Sequence, residues 1–378
     1  MPRPRVPRRN RAPDAIDELS PIPFQVLGEV TVTAALACTP YSTPGRKCRD
    51  APMNITDDMI DPQLRRRAKI MRALMANQDE RKIRRMRRLD AALGRYAQRR
   101  RKSGMREETE WITRSDGTRL RILVYTPLEP QAGVAGMLYL HGGGYALGSP
   151  DLEAVGCRAL IEQSDCVVVS PDYRLSTEAP YPAALEDCYA ALLWLKDNAE
   201  RLGVRSDQLA VTGGSAGGGL TAALTLYARD KGEVGVAFQM PLYPMIDDRS
   251  TTPFAQHNDA PVWDAATNKA AWRMYLGDLY GTKQVPAYAA PARATDYRGL
   301  PPTFTFVGDI DTFHDETVAY VDALQAADVP TEFRVFPGCY HGFEGFAGKA
   351  DVSQRAIQYR NRWFRRALDT YFCPQPGG

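Results

Sequence analysis

Leu209-Ala210-Val211-Thr212-Gly213-Gly214-Ser215-Ala216-Gly217 decides the fold class of this chain. A short apolar run enters a G-x-S-x-G string, and an Ala- and Leu-rich helical stretch at 216–229 leaves it. A strand that turns into a helix within one residue holds that residue in a strained backbone conformation, and glycine on either side removes the Cβ atoms that would collide. Ser215 is therefore read as a nucleophile presented on a sharp elbow. A phosphate-binding loop is the competing reading, but the string lacks the lysine of a Walker motif and the spacing of G-x-G-x-x-G.

Outward from the elbow, apolar runs at 134–140, 166–170, 208–212, 234–242, 303–307 and 331–336 alternate with amphipathic segments at 152–163, 183–198, 216–229, 264–276, 317–326 and 352–371. Strands and helices alternating in this way predict an α/β fold, a mostly parallel sheet with helices on both faces. A hairpin precedes it, with strands at 108–113 and 120–125 around the Asp116-Gly117 turn.

Seventy residues before the elbow stands His141-Gly142-Gly143-Gly144-Tyr145, again directly after an apolar run. Consecutive glycines leaving a sheet let bare backbone N–H groups face a ligand, the arrangement that holds a developing oxyanion. Gly143, Gly144 and Ala216 are the candidate donors, and Gly142 is a fourth. A serine nucleophile needs a base, and the chain holds four histidines, at 141, 257, 314 and 341. His141 belongs to the glycine loop, His257 to a polar segment, and His314 to the acidic start of a helix. His341 follows the last strand on a Gly-flanked loop and is the expected base. The acid that orients it is expected at the end of the preceding strand, where Asp311 is preferred and Asp309 and Asp315 are alternatives. The order Ser, Asp, His then fits one known order of such triads.

These residues together resemble the hormone-sensitive-lipase family of α/β-hydrolases, the bacterial carboxylesterases with an HGGG loop. The resemblance runs from about Trp111 to Tyr371. It rests on His141-Gly142-Gly143-Gly144, on Asp172-Tyr173-Arg174-Leu175 with Tyr181-Pro182-Ala183-Ala184-Leu185-Glu186-Asp187-Cys188, on the elbow, on Asp311 through Glu316, and on His341-Gly342-Phe343. It implies an α/β-hydrolase fold with a helical cap, and ester hydrolysis through an acyl-enzyme with no cofactor and no metal. The implied organisation is a cap segment at 53–105, a catalytic domain at 106–378 and a second cap segment at about 250–282. Two positions depart from the family's habit: Gly214 stands where an acidic residue is common, and Thr312 where the residue after the acid is commonly proline.

The first 106 residues carry 25 Lys+Arg against 11 Asp+Glu, leaving 23 against 34 for the rest, so the formal charge of +3 conceals a basic end and an acidic body. Residues 1–52 are Pro- and Arg-rich without periodicity and are expected to form a disordered basic arm. Within 61–102, Ile70, Leu74, Met75, Ile83, Met86, Leu89, Leu93 and Tyr96 recur at three- and four-residue steps, which predicts one or two amphipathic helices docked by that stripe.

With 378 residues, 44% of them apolar and 25% charged, the chain is neither globally disordered nor fibrous. No apolar run reaches the length of a bilayer span. Seven cysteines form no C-x-x-C pair, which favours reduced thiols and a cytoplasmic location. The expected partner is a small-molecule ester. Nucleic acid is not the expected partner, and a homodimer is compatible with the sequence. The expectation is a serine carboxylesterase for small to medium acyl esters. An amidase or peptidase on the same triad, and a non-catalytic receptor on a hydrolase scaffold with a nucleic-acid-binding arm, are the alternatives.

Overall fold

The structure, a computed structural model, describes residues 54–99, 104–114, 116–129 and 131–377, all within the compact unit Cys48–Gly378. The expected arm at 1–52 lies outside the described residues. After two helices, α1 (Arg65–Met75) and α2 (Glu80–Gln98), the strands are β1 (Arg106–Thr113), β2 (Arg119–Thr126), β3 (Val134–Leu140), β4 (Cys166–Pro171), β5 (Val204–Gly214), β6 (Phe238–Leu242), β7 (Thr303–Gly308) and β8 (Thr331–Phe336). The helices among them are α3 (Ala154–Ile161), α4 (Ala183–Asp197), α5 (Ala216–Lys231), α6 (Pro253–His257), α7 (Ala265–Leu276), α8 (His314–Ala326), α9 (Phe343–Phe346) and α10 (Asp351–Thr370).

The eight strands form one sheet in the order β1-β2-β4-β3-β5-β6-β7-β8. β1 pairs antiparallel with β2 and β2 with β4, and every other pairing is parallel. Every residue of β4, β6 and β7 is buried, as strands covered on both faces require. The two-residue period of the strands divides the core. Leu123, Tyr125, Met137, Val168, Phe238, Phe304 and Phe306 face Trp363 and Phe364 of α10, while Ile122, Val124, Leu138, Val167, Val169 and Val211 face Leu192 of α4 and Leu220 of α5. Because β3, β5, β6, β7 and β8 run parallel, the loops that leave their carboxyl ends gather along one edge.

The expected α/β-hydrolase architecture is present, and the differences lie at element ends. β5 starts at Val204 rather than 208, because Arg205 and Ser206 are exposed strand residues that hydropathy does not mark. β6 starts only at Phe238, since 234–236 is apolar but lies outside the ladder, with Gly235 against the chain end at Cys373. α6 and α9 are too short to leave a periodic signal.

The larger correction concerns the N-terminal helices. Ile70, Leu74, Leu89, Leu93 and Tyr96 of the expected docking stripe face outward, Leu74 at 65% and Leu89 at 64% exposure. Of that stripe only Ile83 is fully buried, with Met75 half-buried beside the core, and the docked face is completed by Leu64, Ala68 and the half-buried Met71, which the stripe did not include. Small and polar residues set this choice of face. Gly94 lies so close to Ser149 that a Cβ there would stand 3.1 Å from its Oγ, and the Gly148 N–H donates to Asp90 at 2.9 Å. Burial pushes the Asp90 carboxyl above its ordinary value. Backbone N–H groups of the segment also donate to side chains of 259–267: Ile55 to Asp259 at 2.6 Å, Asn77 to Asp264 at 2.5 Å and Gln78 to Thr267 at 3.0 Å.

Candidate active site

Ser215 joins the end of β5 to the first turn of α5 with φ 61° and ψ −124°, a conformation that L-residues rarely adopt. Two close approaches hold it there. The Ser215 N–H donates to Leu242 O at 3.0 Å and its carbonyl accepts from Gly219 and Met245. A methyl group on Gly217 would lie 2.0 Å from Leu140 O, so β3 passes the turn at a distance that only glycine permits. Thus the G-x-S-x-G string produces the sharp reversal that its spacing predicts.

The β8-to-α9 loop carries His341 to this turn. Its Nε2 is 2.8 Å from Ser215 Oγ, and its Nδ1 is 2.9 and 3.1 Å from the two oxygens of Asp311, which follows β7. All three side chains are buried, with Ser215 the most exposed at 9%. Asp311 also accepts the Phe313 N–H at 2.9 Å, which fixes the carboxylate's plane. The two alternative acids point elsewhere. Asp309 accepts the Gly338 N–H at 2.7 Å and so shapes the turn ahead of His341, and Asp315 pairs with His314 at 2.8 Å.

Gly142, Gly143 and Gly144 leave β3 beside the elbow, and a methyl group on Gly142 would stand 3.5 Å from Ser215 Cβ. Ala216 opens α5 directly after Ser215, so its N–H is among the unpaired donors of that helix's first turn. His141 is enclosed beneath the loop, stacked on Tyr173 at 4.1 Å between ring centres, and its Nδ1–H donates to Gly142 O at 2.9 Å. Burial pushes its pKa down to about 4, so near neutral pH it supports the loop as an uncharged imidazole.

Sequence reasoning missed two of the residues that surround His341, Phe313 and Tyr243. Phe313 and Tyr243 stand edge-on to its ring at 5.0 and 5.1 Å, and Trp263 lies at 6.5 Å. Tyr243 follows β6 and donates its hydroxyl to Glu344 at 2.5 Å. Burial pushes the Glu344 carboxyl above its usual range. Glu316, whose carboxyl burial raises well above the usual range, accepts the Ile246 N–H at 2.7 Å and the Asp247 N–H at 3.3 Å, holding the loop after Tyr243. The position of Tyr243 directly after an apolar strand was the available signal. The sequence offers no local sign of the pairing with Glu344.

Residues 137–345 match a family described as alpha/beta hydrolase fold. Among curated relatives, esterase LipI of Mycobacterium tuberculosis is 36% identical over 241 residues, 64% of this chain and 74% of its own length. Carboxylesterase NlhH of the same species is 36% identical over 254 residues, 66% and 79% of the two chains. The solved structure of a bacterial heroin esterase superposes with a TM-score of 0.77 at 34% identity, covering 83% of this chain and 99% of that one. More than half of the chain is thus matched with the elbow, the glycine loop and the His341 loop inside the matched span, and the chain belongs to the α/β-hydrolase family that contains the hormone-sensitive-lipase-like enzymes.

Proposed function

We propose that Ser215, His341 and Asp311 make this chain a serine carboxylesterase for small to medium acyl esters. Its coarse class follows from kinship: the chain is a carboxylic ester hydrolase. The finer reading rests on one observation, the unbroken contact from Ser215 Oγ through both nitrogens of His341 to Asp311.

In this reading His341 Nε2 accepts the Ser215 proton as Oγ attacks the ester carbonyl carbon, and Asp311 keeps the imidazole in the tautomer that leaves Nε2 free to accept. The N–H groups of Gly143, Gly144 and Ala216, with Gly142 as a fourth candidate, receive the negative charge that forms on the carbonyl oxygen. Collapse of the tetrahedral adduct breaks the bond to the alcohol, which leaves with the proton from His341. Water then attacks the acyl-enzyme, giving its proton to His341, and Ser215 is restored as the acid departs. The helices at 54–99 and the segment around 250–282 form the cap in this proposal. Its support is the contact of Ile83 with Ala146, Ala270 and Met274, which sets α2 on the loop that follows the glycines.

The test is turnover of p-nitrophenyl esters from two to sixteen carbons. Ser215→Ala and His341→Ala should each lower kcat by roughly three orders of magnitude or more with unchanged melting, and Asp311→Asn should be severe but milder. Turnover by Ser215→Ala within tenfold of the parent would remove the assignment, and a mild effect at His341 would return His314 to consideration.

A further inference from the structure

Resting on the serine-esterase reading, we propose that Trp263 is the wall that limits the size of the ester substituent beside the candidate oxyanion donors, and that Thr312 is the positioning residue that latches this wall to the Asp311 loop. A methyl group placed on Gly144 would lie 2.1 Å from Cη2 and 2.7 Å from Cζ2 of Trp263, so the six-membered ring of the indole rests on the glycine loop itself. Its centre is 6.5 Å from that of His341. An ester that delivers its oxygen to Gly143, Gly144 or Ala216 and its carbon to Ser215 has to arrange its remaining groups around that ring.

The wall is fixed at both its side chain and its backbone. Trp263 Nε1–H donates to Asn268 Oδ1 at 3.2 Å, and the Thr312 hydroxyl donates to Trp263 O at 2.6 Å. On the other side of Asp311, Asn258 donates its side-chain N–H to Ile310 O at 3.2 Å while accepting from Ala260 N at 2.7 Å. The acid loop thus grips the Trp263 segment through the residues before and after Asp311. Val262, immediately ahead of the indole, has φ 76°, a left-handed conformation that a β-branched residue keeps only when its surroundings impose it. Without the Thr312 hydroxyl, the buried Trp263 carbonyl loses its donor and the strained step at Val262 is free to relax, carrying the ring away from Gly144. Proline at 312 has no hydroxyl and makes no such bond, so the departure from the family's habit acquires a physical purpose here.

The experiment uses the full chain, with acyl length varied at constant p-nitrophenol and alcohol size varied at constant acetate. Trp263→Ala should raise the ratio of kcat/KM for the bulky over the small ester by about tenfold or more in one of the two series, which identifies the side of the ester that the ring limits. Thr312→Val should shift the same ratio in the same direction by less, and Thr312→Ser, which keeps the donor, should return it to the parent value. A ratio unchanged in both series for Trp263→Ala overturns the wall. Thr312→Val indistinguishable from parent, or Thr312→Ser shifted as far as Thr312→Val, overturns the latch. If Trp263→Ala does not melt cooperatively, Trp263→Phe carries the test and should shift the ratio by about threefold. Stoichiometric labelling of Ser215 by a small serine-directed phosphonate accompanies each variant. A parent enzyme that hydrolyses esters without being labelled there would indict the serine-esterase reading itself, separately from the wall.

Discussion

The carboxyl edge of the sheet and the N-terminal helical pair obey opposite rules. At the edge, backbones approach so closely that single atoms decide what fits: a Cβ on Gly217 would meet Leu140 O at 2.0 Å, and one on Gly308 would meet Cys339 O at 1.9 Å. In α1 and α2 most of the large apolar residues, Ile83 excepted, look outward, and the segment is held by a few buried side chains and by N–H groups donating to Asp259, Asp264 and Thr267. The comparison teaches that hydrophobic periodicity identifies a helix without naming its docked face. A glycine at a strand-to-helix reversal, in contrast, specifies its neighbours almost completely.

The contrast breaks most visibly at the edge. Gly217→Ala should destabilise the protein by about 3 kcal/mol or more, because the clash is with main chain that no rotamer change relieves. A urea midpoint near that of the parent would show the edge to be more yielding than its distances imply.

A second test of the same edge uses pH. The folded pKa of His141 is depressed to about 4 by burial, against about 6.5 in an unfolded chain. Between those values the unfolded state binds more protons, so stability falls as pH drops through this window and is untouched above it. The loss amounts to roughly 3 kcal/mol at its fullest. His141→Gln, which cannot titrate, should lose less stability than the parent as pH goes from about 6.5 to 4, measured by denaturant melts across that range. Parallel curves would remove the buried imidazole as the cause.

The smallest effects belong to the helical pair. Ile83→Ala should cost about 2 kcal/mol, since it opens a cavity among Ala146, Ala270 and Met274. Leu89→Gln and Leu93→Gln, on the outward face, should stay within about 0.5 kcal/mol. Melting curves that reversed this order would mean that the helices dock by the other face.

Much of the site was legible because its signals are local. The elbow is five consecutive residues and the glycine loop four, and each lies directly after an apolar strand, so both could be read without knowing the strand order. His341 emerged by elimination among four histidines. The candidate acid was less determined, since Asp309, Asp311 and Asp315 all occupy one turn and its sequel. Only the folded loop shows Asp309 bonded to Gly338, Asp315 to His314, and Asp311 alone of the three within hydrogen-bond distance of His341. Tyr243 and Glu344 had no pattern of their own, because what sets them apart is proximity across about 100 residues of chain.

By itself, then, the sequence determined the alternation of strands and helices, the reversal at Ser215 and the types of residue available for chemistry. These depend on interactions over a few residues, and periodicity and backbone sterics record them directly. Tertiary structure decided that Ser215 and His341, 126 positions apart, stand at 2.8 Å, that α2 docks by Ile83 and Gly94, and that the Trp263 ring rests on Gly144. Those outcomes depend on which strands pair and in what register. That choice is made by burial and shape summed over the whole sheet, and no local stretch of sequence contains it.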